Sequence, residues 1–274
     1  MMESMIQHFL VTLLIIIIAF SGNISFAQPR ELKGTWISPE QDIIEILETG
    51  RTSNNYLANK LLNEDHFELY ILGDTLSFQQ TYTSSVTNFK VEYTDRFDLK
   101  IVSVNDSALV VKPVSEFSKK YFQDRPIIRL RRKELIVDKT LVFERLFYQA
   151  IWSGPTIELE VDSTRHAYMN YTNTDEDYKA TLATGSYSAV LNDETFNELI
   201  CQLQNCSLRT LKFIDVKGAD SPVKTLIVYF NGKRKYLKSI APSRVAEDLL
   251  RFINWQLVGY DKWTPAVHKM EIKR

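Results

Sequence analysis

The sequence predicts a mainly β chain in two modules: an antiparallel meander that closes into a barrel, then a two-layer α+β unit with two helices on an antiparallel sheet. Three observations carry this. Between Leu32 and Arg132 short period-two segments alternate with turn residues, and no helix-length periodic run connects them. Helical periodicity of any length enters only after Leu191. Between these regions, Ile127 to Trp152 (IIRLRRKELIVDKTLVFERLFYQAIW) reads as a closing strand, a polar joint and an opening strand. With 274 residues the chain exceeds the usual single-domain length of about 100–150. The boundaries expected are residues 28–135 for the barrel, 136–257 for the α+β unit and 258–274 for a C-terminal tail.

Residues 1–27 stand apart. Phe9 to Phe20 (FLVTLLIIIIAF) is a continuous apolar run, shorter than the roughly 20 residues a spanning helix needs. Ser25-Phe26-Ala27 follows, with small residues where a signal peptidase reads. The expectation is a signal peptide ending at Ala27, hence an exported protein, periplasmic or secreted, with no membrane span after cleavage. The segment before the apolar run carries Glu3 and His8 but no Lys or Arg, which keeps an uncleaved anchor as the alternative. No Cys lies near the cleavage point to take a lipid. Removing Glu3 leaves 33 acidic residues against 33 basic ones, so the formal charge moves from −1 to 0. A neutral, evenly mixed surface gives no electrostatic case for nucleic acid or for an anionic membrane.

In the first module, Leu32 to Ile37 and Asp42 to Leu47 offer the opening strands. Phe67 to Leu72, a Gly73-Asp74 turn and the alternating Thr75 to Tyr82 make a hairpin. Phe89 to Tyr93, Phe97 to Val104, a turn at Asn105-Asp106-Ser107, Ala108 to Val114 and Ile127 to Arg132 complete the series. Arg51 to Glu64 lacks a steady strand pattern and is expected to be a long loop with a helical turn at Leu57 to Leu62, resting on the barrel rim. On the last strand Arg129, Arg131 and Lys133 face one way while Ile128, Leu130 and Arg132 face the other.

Gly34-Thr35-Trp36 resembles the Gly-x-Trp that opens lipocalin-like barrels. Arg129, Arg131 and Arg132 lie where such barrels carry an arginine over that tryptophan. The resemblance implies a barrel that holds a small apolar ligand, with Trp36, Arg129 and Arg131 as the candidate contacts. The alternative is that Trp36 plugs the barrel floor and side chains fill the interior.

In the second module Leu141 to Ile151 is a long strand, and Thr156 to Asp162 alternates Ile157, Leu159 and Val161 inward with Glu158, Glu160 and Asp162 outward. His166 to Tyr171 returns, and Tyr187 to Val190 adds a strand. Asn192 caps a helix with Asp193 and Glu194 in its first turn; Leu191 staples against Phe196, and Phe196, Leu199, Ile200 and Leu203 share a face. Val223 to Phe230, the Asn231-Gly232 turn and Lys233 to Ile240 form a second hairpin. Ser243 caps a last helix whose Val245, Leu249, Phe252, Ile253 and Leu257 line one side. Gly154-Pro155, Gly185-Ser186-Tyr187, Asp220-Ser221-Pro222 and Asn231-Gly232-Lys233 occur in an order that resembles a family of secreted bacterial α+β domains to which no activity is assigned. That family carries cysteines at the turn where this chain has Trp152-Ser153-Gly154-Pro155, so any cysteine chemistry of that turn is ruled out here. The resemblance marks Gly34, Gly154, Pro155, Asp220, Pro222, Asn231 and Gly232 as structural positions.

No catalytic constellation announces itself. The histidines beyond the apolar run, His66, His166 and His268, lack metal-ligand spacing, so no metal and no cofactor is expected. There is no nucleophile elbow, phosphate loop or dinucleotide fingerprint. Cys201 and Cys206 could pair in an exported protein; if both sit on one continuous helix, five residues turn them about 140° apart, and the simpler reading is two mostly buried thiols. The function expected is a non-catalytic exported protein that binds a small apolar ligand or an envelope protein. The alternative is a hydrolase with a carboxylate pair such as Asp215 and Asp220 at the module junction.

Overall fold

A computed structural model describes residues 32–59, 63–151, 155–173, 182–214 and 221–266. The expected signal segment, Gly154, Asp215, Asp220 and the end of the tail lie outside the described residues. Eight strands form a closed antiparallel barrel in chain order: β1 Gly34–Ile37, β2 Ile43–Ile46, β3 Gly50–Ala58, β4 Asn63–Leu72, β5 Thr75–Thr83, β6 Glu92–Val104, β7 Ala108–Pro113 and β8 Ile128–Arg132. Closure comes from β1 on β8, with Trp36 opposite Arg132 and Ile37 opposite Arg131.

The period-two pattern sorts the wall into two surfaces. Trp36, Ile44, Leu57, Phe67, Leu69, Leu76, Phe78, Leu99, Leu109 and Val111 all point inward and have no solvent exposure. Phe67 meets Phe78 edge-on at 6.0 Å and Phe97 at 5.2 Å, so aromatic rings occupy the barrel's middle. A short helix that the sequence reading missed, α1 Glu116–Tyr121, joins β7 to β8. Ser115 caps it by accepting from the Ser118 N–H, and Tyr121 and the following Phe122 enter the same core. The Tyr121 hydroxyl donates to the Leu57 carbonyl at 2.9 Å, while the Asn59 amide donates to the Tyr121 carbonyl at 2.7 Å.

Arg51 to Glu64, expected as a loop with a helical turn, instead supplies most of β3 and the start of β4. Register shifts on either side of Asn55 hide the alternation. Buried Asn55 fills the hydrogen-bonding gap, accepting from the Leu47 and Glu48 N–H groups and donating to the Phe67 carbonyl at 3.0 Å.

The second sheet runs β14-β13-β9-β10-β11-β12-β15. Its strands are β9 Phe143–Ile151, β10 Pro155–Asp162, β11 His166–Asn173, β12 Gly185–Val190, β13 Val223–Phe230, β14 Lys233–Ser239 and the two-residue β15 Thr264–Pro265. Leu146, Tyr148, Ala150, Leu159, Val161 and Met169 share one buried cluster with residues of two helices. These are α2 Asp193–Asn205 and α3 Glu247–Phe252; a 3₁₀ turn at Arg244–Ala246 leads into α3 and a π turn at Ile253–Leu257 continues it. Asn192 caps α2 through the Thr195 N–H at 2.8 Å, and Leu199 and Leu203 are its fully buried positions. Asn231 and Gly232 take φ of 52° and 67°, the turn the dipeptide demands.

The outward side chains Ile37, Ile43 and Ala58 of β1 to β3 belong to the same buried cluster as the second sheet and its helices. One flank of the barrel is therefore an interior surface of the molecule. The β1–β2 turn is fastened there: the Gln41 amide donates to the Thr210 carbonyl at 2.6 Å, and its oxygen accepts from the Lys212 N–H at 3.3 Å. Arg125 holds the same turn from the barrel side with a two-pronged pair to buried Asp42, at 2.7 and 2.6 Å.

Candidate functional site

The candidate ligand contacts expected from the sequence cluster at the opening motif and on β8. Trp36 is fully buried, and its indole N–H donates to the Leu32 carbonyl at 2.8 Å. Arg132 places its guanidinium carbon over the ring, 4.2 Å from the centroid, and donates to the Lys33 and Asp106 carbonyls at 2.6 and 2.7 Å. Gly34 explains why no side chain stands between them: its φ is +128°, and a Cβ there would lie 2.6 Å from the Arg132 guanidinium. The arginine over the tryptophan is thus Arg132; Arg129 and Arg131 are exposed on the outer face of β8. Trp36, Arg129 and Arg131 do not converge on a common space. Among the structural positions, Pro155 opens β10 opposite Asn173, Pro222 leads into β13, and Asn231 and Gly232 form the β13–β14 turn.

A concavity lined by charged side chains lies where the barrel flank meets α2 and α3. It encloses about 250 Å³, and its walls include Thr35, Glu45, Lys133, Asn205, Arg244 and Asp248. Glu45 reaches it because β2 turns odd residues outward, just as it turns Ile44 and Ile46 inward. The Glu45 carboxylate accepts from the Thr35 hydroxyl at 3.1 Å and from Arg244 at 3.4 Å. Arg244 also pairs with Glu247 at 3.2 Å and stacks on the Tyr56 ring at 3.5 Å. Asp248 pairs with Lys133 across the seam and with Arg251 at 3.0 Å along α3.

Glu45, Glu247 and Asp248 are each paired with a cation and Glu134 is exposed in the wall, which suits a seam that fixes two units together better than a buried carboxylate awaiting a proton. Cys206 backs the cleft; its thiol, buried completely, is pushed up to about 12 by desolvation and stays protonated. Cys201 is exposed, against the expectation of two mostly buried thiols, and both are free. Asn205 donates to the Cys201 sulfur at 3.3 Å while its carbonyl oxygen is buried without a hydrogen-bond partner among the described residues. Among those residues no group of three His, Cys, Asp or Glu is placed to hold a metal ion.

A second, shallower groove of about 450 Å³ shares Arg244, Glu247 and Arg251 with the cleft and opens outward past Lys224 and Ser243. Trp255 stands on its edge with 75% of its surface exposed. The π turn places it there, and Gly259 permits that turn: a Cβ at Gly259 would sit 2.6 Å from the Trp255 carbonyl. Sequence reading missed this groove. The pairing of Glu45 with Arg244 spans 199 residues and has no local signature, whereas an unpatterned tryptophan outside the apolar stripe of α3 was visible at position 255.

No family model, no curated protein and no solved structure matches this chain. The class it defines rests on its own geometry: a closed antiparallel barrel whose flank is buried against a second antiparallel sheet and two helices.

Proposed function

We propose that this chain is an exported, non-catalytic binding protein that recognises a protein partner on its outer surface, at the groove edged by Trp255. The observation that carries the reading is the filled barrel. Trp36, Phe67, Phe78 and the leucines around them occupy the space in which a lipocalin-like barrel would hold an apolar molecule. With the interior used for stability, recognition falls to the surface. An exposed tryptophan beside Arg251, over a cleft fixed by ion pairs, is the kind of anchor that dominates protein interfaces. Read this way, the first module keeps the lipocalin-like opening as a structural lock, and residues 28–135 and 136–257 act as a scaffold and a recognition unit. The apolar run at Phe9 to Phe20 supports export.

The test replaces Trp255 with a photoreactive phenylalanine and illuminates the protein in its own envelope. A discrete protein adduct is expected at position 255, and none from the same probe at exposed Val102 on the barrel wall. Identical adduct patterns from both positions would sink the reading.

A further inference from the structure

The β5–β6 hairpin outgrows the barrel. β4 pairs with β5 no further than Glu68 opposite Gln79, and β7 pairs with β6 only from Leu99 to Val104. β5 and β6 nevertheless stay paired to Thr83 opposite Glu92, so Gln80–Thr83 and Glu92–Asp95 form a two-stranded ribbon with no further strand partner among the described residues. Its end is apolar where a solvated turn should be polar. Val86 is 90% exposed and Phe89 66%; behind them Tyr82 and Tyr93 stack across the ribbon at 5.6 Å. Val91 is also exposed.

The tip keeps this form in spite of backbone strain. Asn88 and Phe89 both have positive φ, 49° and 58°, and a bulky aromatic in the left-handed region is a genuine outlier. The turn is nonetheless ordered: the Phe89 N–H donates to the Ser84 carbonyl at 2.9 Å, and the Ser84 hydroxyl accepts from the Val86 N–H at 3.2 Å. The chain keeps a strained residue that turns an aromatic ring away from the protein. From Thr75 to Val91 Lys90 is the one charge; Glu92 and Asp95 follow on the returning strand, opposite Thr83 and Gln80.

We propose that this tip inserts into the interfacial layer of a lipid membrane. A convex ribbon end with a few apolar side chains falls short of the roughly 800 Å² per partner that a stable protein interface needs. A membrane asks for less: apolar side chains reaching about 5–10 Å below the head groups. Val86 and Phe89 supply that reach. The tyrosine pair and the hydroxyls of Thr83, Ser84, Ser85 and Thr87 then lie at head-group depth, where amphipathic rings and small polar groups are favoured. Lys90 extends its ammonium back to the phosphates. With Lys90 offset by Glu92 and Asp95 on the same ribbon, attachment rests on the apolar tip and gains nothing from anionic lipid.

The experiment uses the full chain carrying Phe89→Trp and phosphatidylcholine vesicles with brominated acyl chains. The emission added by the new tryptophan is expected to be quenched, while that of exposed Trp255, removed in a parallel Trp255→Phe chain to identify it, is not. A Val86→Ser, Phe89→Ser chain is expected to lose about tenfold or more in vesicle partitioning, and Val102→Ser to partition like the parent. If the apolar run at Phe9 to Phe20 alone tethers the chain, the tryptophan at 89 stays unquenched and the proposal falls. It falls equally if the parent binds no vesicle, or if the Val86→Ser, Phe89→Ser chain partitions like the parent.

Discussion

At the scale of single residues, Gly34 is the position with least freedom. Alanine there meets a positive φ and a guanidinium at once, so either the backbone shifts or Arg132 leaves the Trp36 ring. Gly34→Ala is expected to cost about 1–3 kcal/mol in urea unfolding, with the near-ultraviolet signal of the buried indole changed as well. The cysteines give a second reading at this scale. Cys201 is expected to react with a thiol reagent in the native protein, and Cys206 only on unfolding, because its proton is held to about 12 by burial. Equal labelling of both in native buffer would mean that the seam behind Cys206 opens.

Among the elements, the β13–β14 turn shows how a local signal extends outward. Asn231 was legible as a turn residue, but its side chain does more: its amide donates to the Thr140 carbonyl at 3.0 Å and its oxygen accepts from the Val142 N–H at 3.2 Å, tying the hairpin to the start of β9. Arg209 joins that knot, donating to Asp138 at 2.5 Å. Hydrogen bonds from Arg209 and then Thr140 hold the Asp138 carboxyl below its ordinary range. The unfolded chain therefore binds this proton more tightly than the native one. The contribution of Asp138 is complete above the ordinary carboxylate value of about 3.9 and fades as pH falls through the native value. Both partners are part exposed, which limits it to about 1 kcal/mol or less. Unfolding midpoints of the parent and Asp138→Asn should differ at neutral pH and converge in acid; a constant difference would refute the assignment. Strands with clean alternation and capped helices were readable because one face meets water and the other a core, as along β10 and α2. β3 was not readable, because the register shifts at Asn55 break the period, and α1 is too short to show one.

For the molecule as a whole, the sequence marked a barrel and a sheet but not how they meet. Ile37, Ile43 and Ala58 carry no signal of their own, since an outward apolar residue looks the same whether water or another unit covers it. The seam of Glu45, Arg244, Lys133 and Asp248 likewise joins residues far apart in the chain. Of the residues expected to hold a ligand, Trp36 lies inside the barrel with Arg132 over it, so the interior is closed by the motif that suggested a binding site. A barrel packed solid with side chains has no room for a guest. Native mass spectrometry of the protein isolated from its natural source is expected to return the mass of the polypeptide alone. A reproducible added small-molecule mass, lost when Leu76→Trp further fills the interior, would contradict it.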